Sequence, residues 1–167
     1  ENEFKFKKGG KSRNANTSAP WSDYLRELLE KKFEHVIYEC AFPPKVTLRL
    51  DAAVWSKKKQ PVSPMDIAIE WEWDSGKAKA FAKGDFLKVL EAPAKAGLAI
   101  IKTRSARKNS LKKAENFIKE MKENYGTYEK RDRPVGVIEV QKIKGGRDKK
   151  KYQCYFHDFS DDKKQER

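Results

Sequence analysis

Carboxylates alternate with apolar residues in one short segment of the sequence. Between Asp66 and Asp74 the chain reads Asp-Ile-Ala-Ile-Glu-Trp-Glu-Trp-Asp, which places Asp66, Glu70, Glu72 and Asp74 at even offsets. In a β-strand such residues project from the same face, with neighbouring acids only ~7 Å apart. A hard divalent cation takes oxygen ligands and would relieve their repulsion. The pattern predicts a metal site; the alternative is a solvated strand face neutralised by lysine and arginine.

A further acid, Asp51, interrupts the strand-like alternation of residues 46–55. If this segment and residues 65–73 form an antiparallel hairpin, Asp51 lies across from the acidic face. Carboxylates that hold Mg²⁺ can lower the pKa of a bound water and neutralise the charge that develops on a scissile phosphate. Together these acids favour phosphodiester hydrolysis.

Asp51, eighteen intervening residues and then Glu70-Trp-Glu72 form a pattern that resembles the PD-(D/E)XK nuclease superfamily. The resemblance implies a restriction-endonuclease-like fold, with an aspartate at one end of the second core strand and a Glu-x-Lys pair on the third. It also implies catalysis with Mg²⁺ or Mn²⁺. On this resemblance Asp51 and Glu70 are catalytic metal ligands, and Glu72 is a further ligand or the general base.

The motif departs from the common pattern at Glu72, where most members carry a lysine that positions or deprotonates the attacking water. Some restriction endonucleases of the superfamily have glutamate there and remain active. Lys88, on the helix that follows, is a candidate for a displaced catalytic lysine, or else an ordinary surface lysine. An acid of the first helix, Glu27 or Glu30, resembles an additional metal ligand that some members contribute. Leucine rather than proline precedes the motif aspartate.

The surrounding elements follow the order α-β-β-β-α-β-α-β-β. This order predicts an α/β fold (mixed α+β) with a central mixed β-sheet flanked by helices. Its first six elements, in residues 20–103, match the restriction-endonuclease-like core, and α-β-β follows. Helices are predicted from Pro20 to Phe33, from Asp85 to Ala94, where Pro93 shortens or kinks the helix, and from Ser110 to Tyr125, where Gly126 ends it. Strands are predicted at residues 35–40, 46–55, 65–73, 98–103, 135–143 and 152–159.

Length and composition predict a single domain. Residues 1–19 are interpreted as a flexible basic arm, 20–160 as one nuclease-like domain, and 161–167 as a charged tail. Two cysteines exclude a disulfide-stapled scaffold. The chain contains no apolar run of about 18 residues and no signal-peptide pattern. We therefore expect a cytoplasmic protein that does not enter a membrane.

The formal net charge of +13 predicts a polyanionic partner. Nucleic acid is the first candidate, with DNA favoured over RNA, and a homodimer would allow both strands of a duplex to be cut. A non-catalytic nucleic-acid-binding protein with a degenerate nuclease fold, an RNA-associated basic protein without a site, and charge that serves solubility alone remain alternatives. The candidate nucleic-acid contacts are Lys57, Lys58, Lys59, Arg104, Arg107, Lys108, Lys112, Lys144, Arg147 and Lys149.

Overall fold

A computed structural model describes seven segments of the chain, namely residues 19–42, 49–55, 64–74, 77–104, 108–128, 133–143 and 151–160. The predicted tail and all but the last residue of the predicted arm lie outside them. The elements in chain order are α1 (Ala19–Lys32), β1 (His35–Ala41), β2 (Arg49–Trp55), β3 (Met65–Glu72), α2 (Ala78–Lys83), α3 (Asp85–Glu91), β4 (Ala94–Arg104), α4 (Lys108–Thr127), β5 (Val135–Ile143) and β6 (Lys151–Asp158).

The strands form one six-stranded sheet whose order, β1-β2-β3-β4-β5-β6, is the order of the chain. Strands β1, β2 and β3 are antiparallel neighbours, β4 and β5 continue parallel to β3, and β6 returns antiparallel to β5. Parallel neighbours are those separated by helices, since a parallel connection must cross back over the sheet. The structure thus confirms the mixed sheet flanked by helices.

Alternation along β3 divides the core between the two faces of the sheet. Ile69 and Trp73 pack with Trp21 and Leu29 of α1, on what we call the α1 face. The opposite face, here the α3 face, carries Glu70 and is covered by α2, α3 and α4. The tryptophans of the acidic segment therefore point away from its carboxylates, as the period of two predicts. The side chains buried beneath the helices of the α3 face include Phe81, Phe86, Leu90 and Met121.

The predicted element order places no helix between the third strand and Asp85, and this prediction is wrong. Residues Ala78–Lys83 form the short helix α2, in which alanine and lysine are good helix formers. Burial of Phe81 and Ala82 against the sheet supplies the stability that so short a helix lacks alone. Gly84 is the N-cap of α3, whose first residue is Asp85. Likewise Gly126 does not end α4, which continues to Thr127.

Two glycines of the sheet offer a matched test of packing. A Cβ at Gly97 would lie 2.6 Å from Val89 Cγ1 and 3.2 Å from Val135 Cγ2, both in the closed core. At Gly136 a Cβ would instead meet the ring of Phe156, which is 65% exposed and can rotate away. We expect Gly97→Ala to lower the free energy of unfolding by about 2 kcal/mol or more, and Gly136→Ala by less than about 1 kcal/mol. Denaturant unfolding measures both; equal losses would contradict this account of α3 packing.

Within the described segments, no helix is both long enough and apolar enough to cross a lipid bilayer.

Candidate active site

Asp51 and Glu70 meet on neighbouring strands of the α3 face. Ala52 pairs with Ile69 and Ala53 with Ala68, so the next step of the register brings Asp51 beside Glu70. The two carboxyl groups are close enough for each to shift the pKa of the other. Asp51 Oδ2 also accepts a hydrogen bond of 2.8 Å from the backbone N–H of Trp71. The predicted hairpin therefore places both motif acids together.

Lys88 joins the two acids from helix α3. Its Nζ lies 3.0 Å from Glu70 Oε1 and 2.9 Å from Asp85 Oδ1, and it donates a 3.1 Å hydrogen bond to the carbonyl of Arg49. The Lys88 side chain is only 22% exposed. These three oxygens surround the ammonium group on several sides. Lys88 is therefore held inside the candidate site and is not an ordinary surface lysine.

Burial is the largest cause of the raised pKa of both Asp51 and Glu70. Glu70 is 2% exposed, and its burial, followed by the charge of Asp51, raises its pKa to about 9 despite the attraction of Lys88. Burial also raises the pKa of Asp51, against the lowering effect of the Trp71 N–H and Glu70 hydrogen bonds. For Lys88, burial lowers the pKa, but Asp85 and Glu70 outweigh it and the net shift is upward. At neutral pH this balance corresponds to a protonated Glu70 beside a charged Lys88.

The other acids of the segment have separate partners. Glu72 Oε1 accepts a hydrogen bond of 2.7 Å from the backbone N–H of Asp74, which turns its carboxylate toward the end of its own strand. Asp66 forms an ion pair of 2.6 Å with Lys95. Neutralisation by a surface lysine, the alternative to a metal site, thus applies to Asp66. Glu70 instead lies buried beside Asp51 and Lys88. The structure does not bring Glu72 into contact with Asp51.

Helix α1 packs on the other side of the sheet from these residues. Trp21 and Leu29 bury its apolar stripe against the α1 face, and Glu27 points from its exposed side. Asp51 and Glu70 open toward the α3 face, so the sheet separates them from α1. The structure therefore does not bring Glu27 to the site.

Two further acids, Asp85 and Glu39, lie at the site and were not among the predicted site residues. Asp85 is three residues before Lys88 on α3, and the i, i+3 spacing was the available sequence signal. Glu39 lies on β1 opposite Asp51, between the pairs Tyr38–Ala52 and Cys40–Leu50, and its charge contributes to the raised pKa of Asp51. Its φ of 50° is costly for a residue with a side chain. No local pattern of the sequence announces that conformation.

Three of the basic candidates belong to described elements. Arg104 is the last residue of β4 and pairs in register with Lys142; Lys108 begins α4, and Lys112 follows on it. Since Ala99 is the partner of Glu70 on β4, Arg104 lies ~16 Å further along the same strand. The remaining candidates, which lie outside the described residues, are Lys57, Lys58, Lys59, Arg107, Lys144, Arg147 and Lys149.

A second buried carboxylate lies further across the α3 face. Glu139 on β5 is 3% exposed; its Oε1 accepts hydrogen bonds from Thr103 Oγ1 (2.6 Å) and Gln141 Nε2 (2.9 Å). Its Oε2 lies 3.2 Å from His157 Nε2 on β6. These contacts satisfy the buried acid and join three adjacent strands. They add side-chain hydrogen bonds to the backbone pairing that holds the edge strand β6 against β5.

The Asp51–Glu70 pair fits a divalent cation by the chemistry of its donors. The half-buried Asp51 and the buried Glu70 lie side by side on neighbouring strands, and Mg²⁺ is commonly held by one or two carboxylates, with waters and substrate phosphates completing its shell. Within the described residues, no group of three or more histidine, cysteine, aspartate or glutamate side chains could hold a metal.

Comparison with family models, curated proteins and solved structures gives no match for this chain.

Proposed function

We propose that the chain is a metal-dependent nuclease of the restriction-endonuclease-like class. Its substrate would be DNA, and its reaction the hydrolysis of a phosphodiester bond. The observation that carries the proposal is the convergence of Asp51, Glu70 and Lys88 from β2, β3 and α3. The element order of residues 19–104 supports it further, because α-β-β-β is followed by helices and a parallel strand, as the resemblance implies.

The buried group contains what such chemistry requires of a protein. Asp51 and Glu70 would hold Mg²⁺ or Mn²⁺, and the bound ion would supply an activated water and neutralise charge on the phosphate. Lys88 lies within hydrogen-bond distance of Glu70, where an ammonium group can orient a water or stabilise a negatively charged oxygen. The net charge of +13 would hold the DNA backbone through phosphate contacts.

A specific observation favours one second candidate, a nucleic-acid-binding protein without catalysis. Glu72 is turned toward the backbone of Asp74, and Lys88 is paired with two acids of its own chain. In this alternative the ammonium group of Lys88 takes the place of a metal ion beside the acids. The fold then serves nucleic-acid binding alone. A basic protein without any site is less well supported, because it offers no reason for Asp51 and Glu70 to converge.

Plasmid cleavage in Mg²⁺ or Mn²⁺ tests the proposal. We expect Asp51→Asn and Glu70→Gln each to reduce cleavage by more than about 100-fold, because each change removes an anionic ligand of the ion. Asp66→Asn provides a matched control. Asp66 precedes Glu70 by four residues on the same strand but is paired with Lys95 away from the site, so its variant should cleave normally.

Two results would refute the nuclease proposal. One is cleavage that survives both Asp51→Asn and Glu70→Gln, and the other is an unmodified chain that cleaves in neither metal. Binding to labelled duplexes, measured over a range of salt concentrations, then decides the alternative. A binding constant that falls steeply with salt supports a non-catalytic DNA-binding protein, because phosphate contacts release counterions.

A further inference from the structure

The carboxyl end of α3 depends on one arginine from a distant part of the chain. Helix α3 has seven residues, and the carbonyl groups in its last turn have no partners within the helix. Arg133 Nη2 donates hydrogen bonds to the carbonyls of Val89 and Leu90, the latter at 2.7 Å. Its Nη1 donates to Ala92 and, at 2.8 Å, to Ala94. One guanidinium group thus binds the end of α3 and the start of β4 together.

Arg133 is itself held firmly. The hydroxyl of Tyr125, on α4, donates a 3.0 Å hydrogen bond to the Arg133 carbonyl. Asn124, the preceding residue of α4, donates a 3.0 Å hydrogen bond to the carbonyl of Ala82 at the end of α2. The end of α4 therefore fixes both short helices through their carboxyl ends. A cation at this position also interacts favourably with the dipole of α3.

Lys88 immediately precedes Val89, the first residue of α3 whose carbonyl accepts a hydrogen bond from Arg133. Its ammonium group reaches Glu70 and the Arg49 carbonyl only if α3 keeps its position over β3. A helix of seven residues has little stability of its own, so its position must come from tertiary contacts. Arg133 supplies four of them through a planar fork of donors that lysine cannot reproduce.

We propose that Arg133 is a positioning residue that holds Lys88 in the candidate site. It acts through α3, since its guanidinium binds backbone carbonyls of that helix and of the β4 junction. Lys88 serves catalysis only if the proposed nuclease function holds, so the decisive measurement requires neither DNA nor metal.

Chemical labelling of lysine amines reports the position of Lys88 directly. The protein is treated with acetic anhydride, and modification is quantified by peptide mass spectrometry. Lys83 and Lys95, whose side chains are 60% and 61% exposed, provide internal references against the 22% exposed Lys88. We expect Arg133→Met to raise labelling of Lys88 about tenfold relative to both references, because α3 opens locally more often. Arg133→Lys should give an intermediate increase.

A variant with general destabilisation separates positioning from stability. Met121→Ala removes a fully buried side chain of α4 and leaves the hydrogen bonds of Arg133 in place. Equal labelling of Lys88 in Met121→Ala and the Arg133 variants, at matched stability, would overturn the proposal, as would unchanged labelling in Arg133→Lys. If the Arg133→Met chain fails to fold, the comparison rests on Arg133→Lys.

Cleavage kinetics then give the separate catalytic readout. We expect Arg133→Lys to lower kcat by about tenfold with little change in KM, because the DNA contacts stay intact while Lys88 is displaced. An unchanged kcat in an active enzyme would contradict the proposal. Absence of cleavage by the unmodified chain would refute the nuclease function and leave the labelling result valid.

Discussion

Replacing Lys88 by methionine is expected to reduce DNA cleavage by at least about 100-fold in Mg²⁺. The ammonium group lies 3.0 Å from Glu70 Oε1, and no other lysine among the described residues forms an ion pair with that carboxylate. Methionine keeps much of the length and apolar volume of the side chain, so the effect reports the lost charge. Plasmid cleavage measures it, and thermal unfolding verifies that the variant is folded.

A relocated lysine sharpens this prediction. Glu72 lies two residues beyond Glu70 on β3, where the superfamily resemblance implies a lysine. Adding Glu72→Lys to the Lys88→Met chain should restore cleavage at least tenfold, because the new ammonium group can approach the same face of β3. Lys95→Met, which removes the exposed partner of Asp66, is the matched control and should leave the rate unchanged. Full activity of Lys88→Met alone would exclude Lys88 from the chemistry.

Glu70→Gln is expected to stabilise the protein increasingly as pH rises. The pKa of Glu70 is raised to about 9 in the folded chain, whereas an unfolded glutamate titrates near 4.5. Below the lower value both states are protonated and the shift has no effect on stability. Above it, only the unfolded state releases its proton, so the folded state loses ~1.4 kcal/mol for each pH unit up to the folded value. Glutamine removes this dependence.

Unfolding in urea at several pH values measures the effect. Between about pH 5 and about pH 8 the stability difference between Glu70→Gln and the unmodified chain should grow by roughly 3–4 kcal/mol. Ile69→Val is the control: this buried neighbour does not ionise, and it should cost about 1 kcal/mol at every pH. Parallel curves for the unmodified and Glu70→Gln chains would contradict the raised pKa.

Adding Mg²⁺ to the urea unfolding experiment gives an independent test of the raised pKa of Glu70. A cation requires ionised carboxylates, so it should stabilise the unmodified chain more strongly at high pH than at low pH. Glu70→Gln should lose most of that stabilisation.

The part of the site that was predictable from the sequence is the part fixed by local periodicity. Alternation along residues 65–73 places Glu70 and Trp71 on opposite faces of the sheet. The hairpin connection brings Asp51 to the face that carries Glu70. Both depend on neighbouring strands that are close in sequence. The period of two is a property of any extended backbone, and the packing of Trp71 and Trp73 in the core of the α1 face follows it.

The contacts of Lys88 depend on information that no local pattern contains. Lys88 could be named as a candidate, but its reach to Glu70 requires α3 to dock over β3, and the predicted element order lacks α2. The residue that fixes the end of α3, Arg133, is 44 residues beyond Val89. Glu72 illustrates the converse, because a hydrogen bond to Asp74 decides the direction of a side chain whose strand face was correctly predicted.

The agreement between strand order and chain order has a consequence for biosynthesis. Each strand that leaves the ribosome adds to the free edge of the sheet already formed, and no later strand must insert between earlier ones. Asp51, Glu70 and Lys88 all emerge before β4 is complete, whereas Arg133 arrives only after α4. The nascent chain thus contains Asp51 and Glu70 early, whereas Arg133, which holds the end of α3, is added late. On the proposed function, full cleavage activity would belong only to a chain that already includes Arg133.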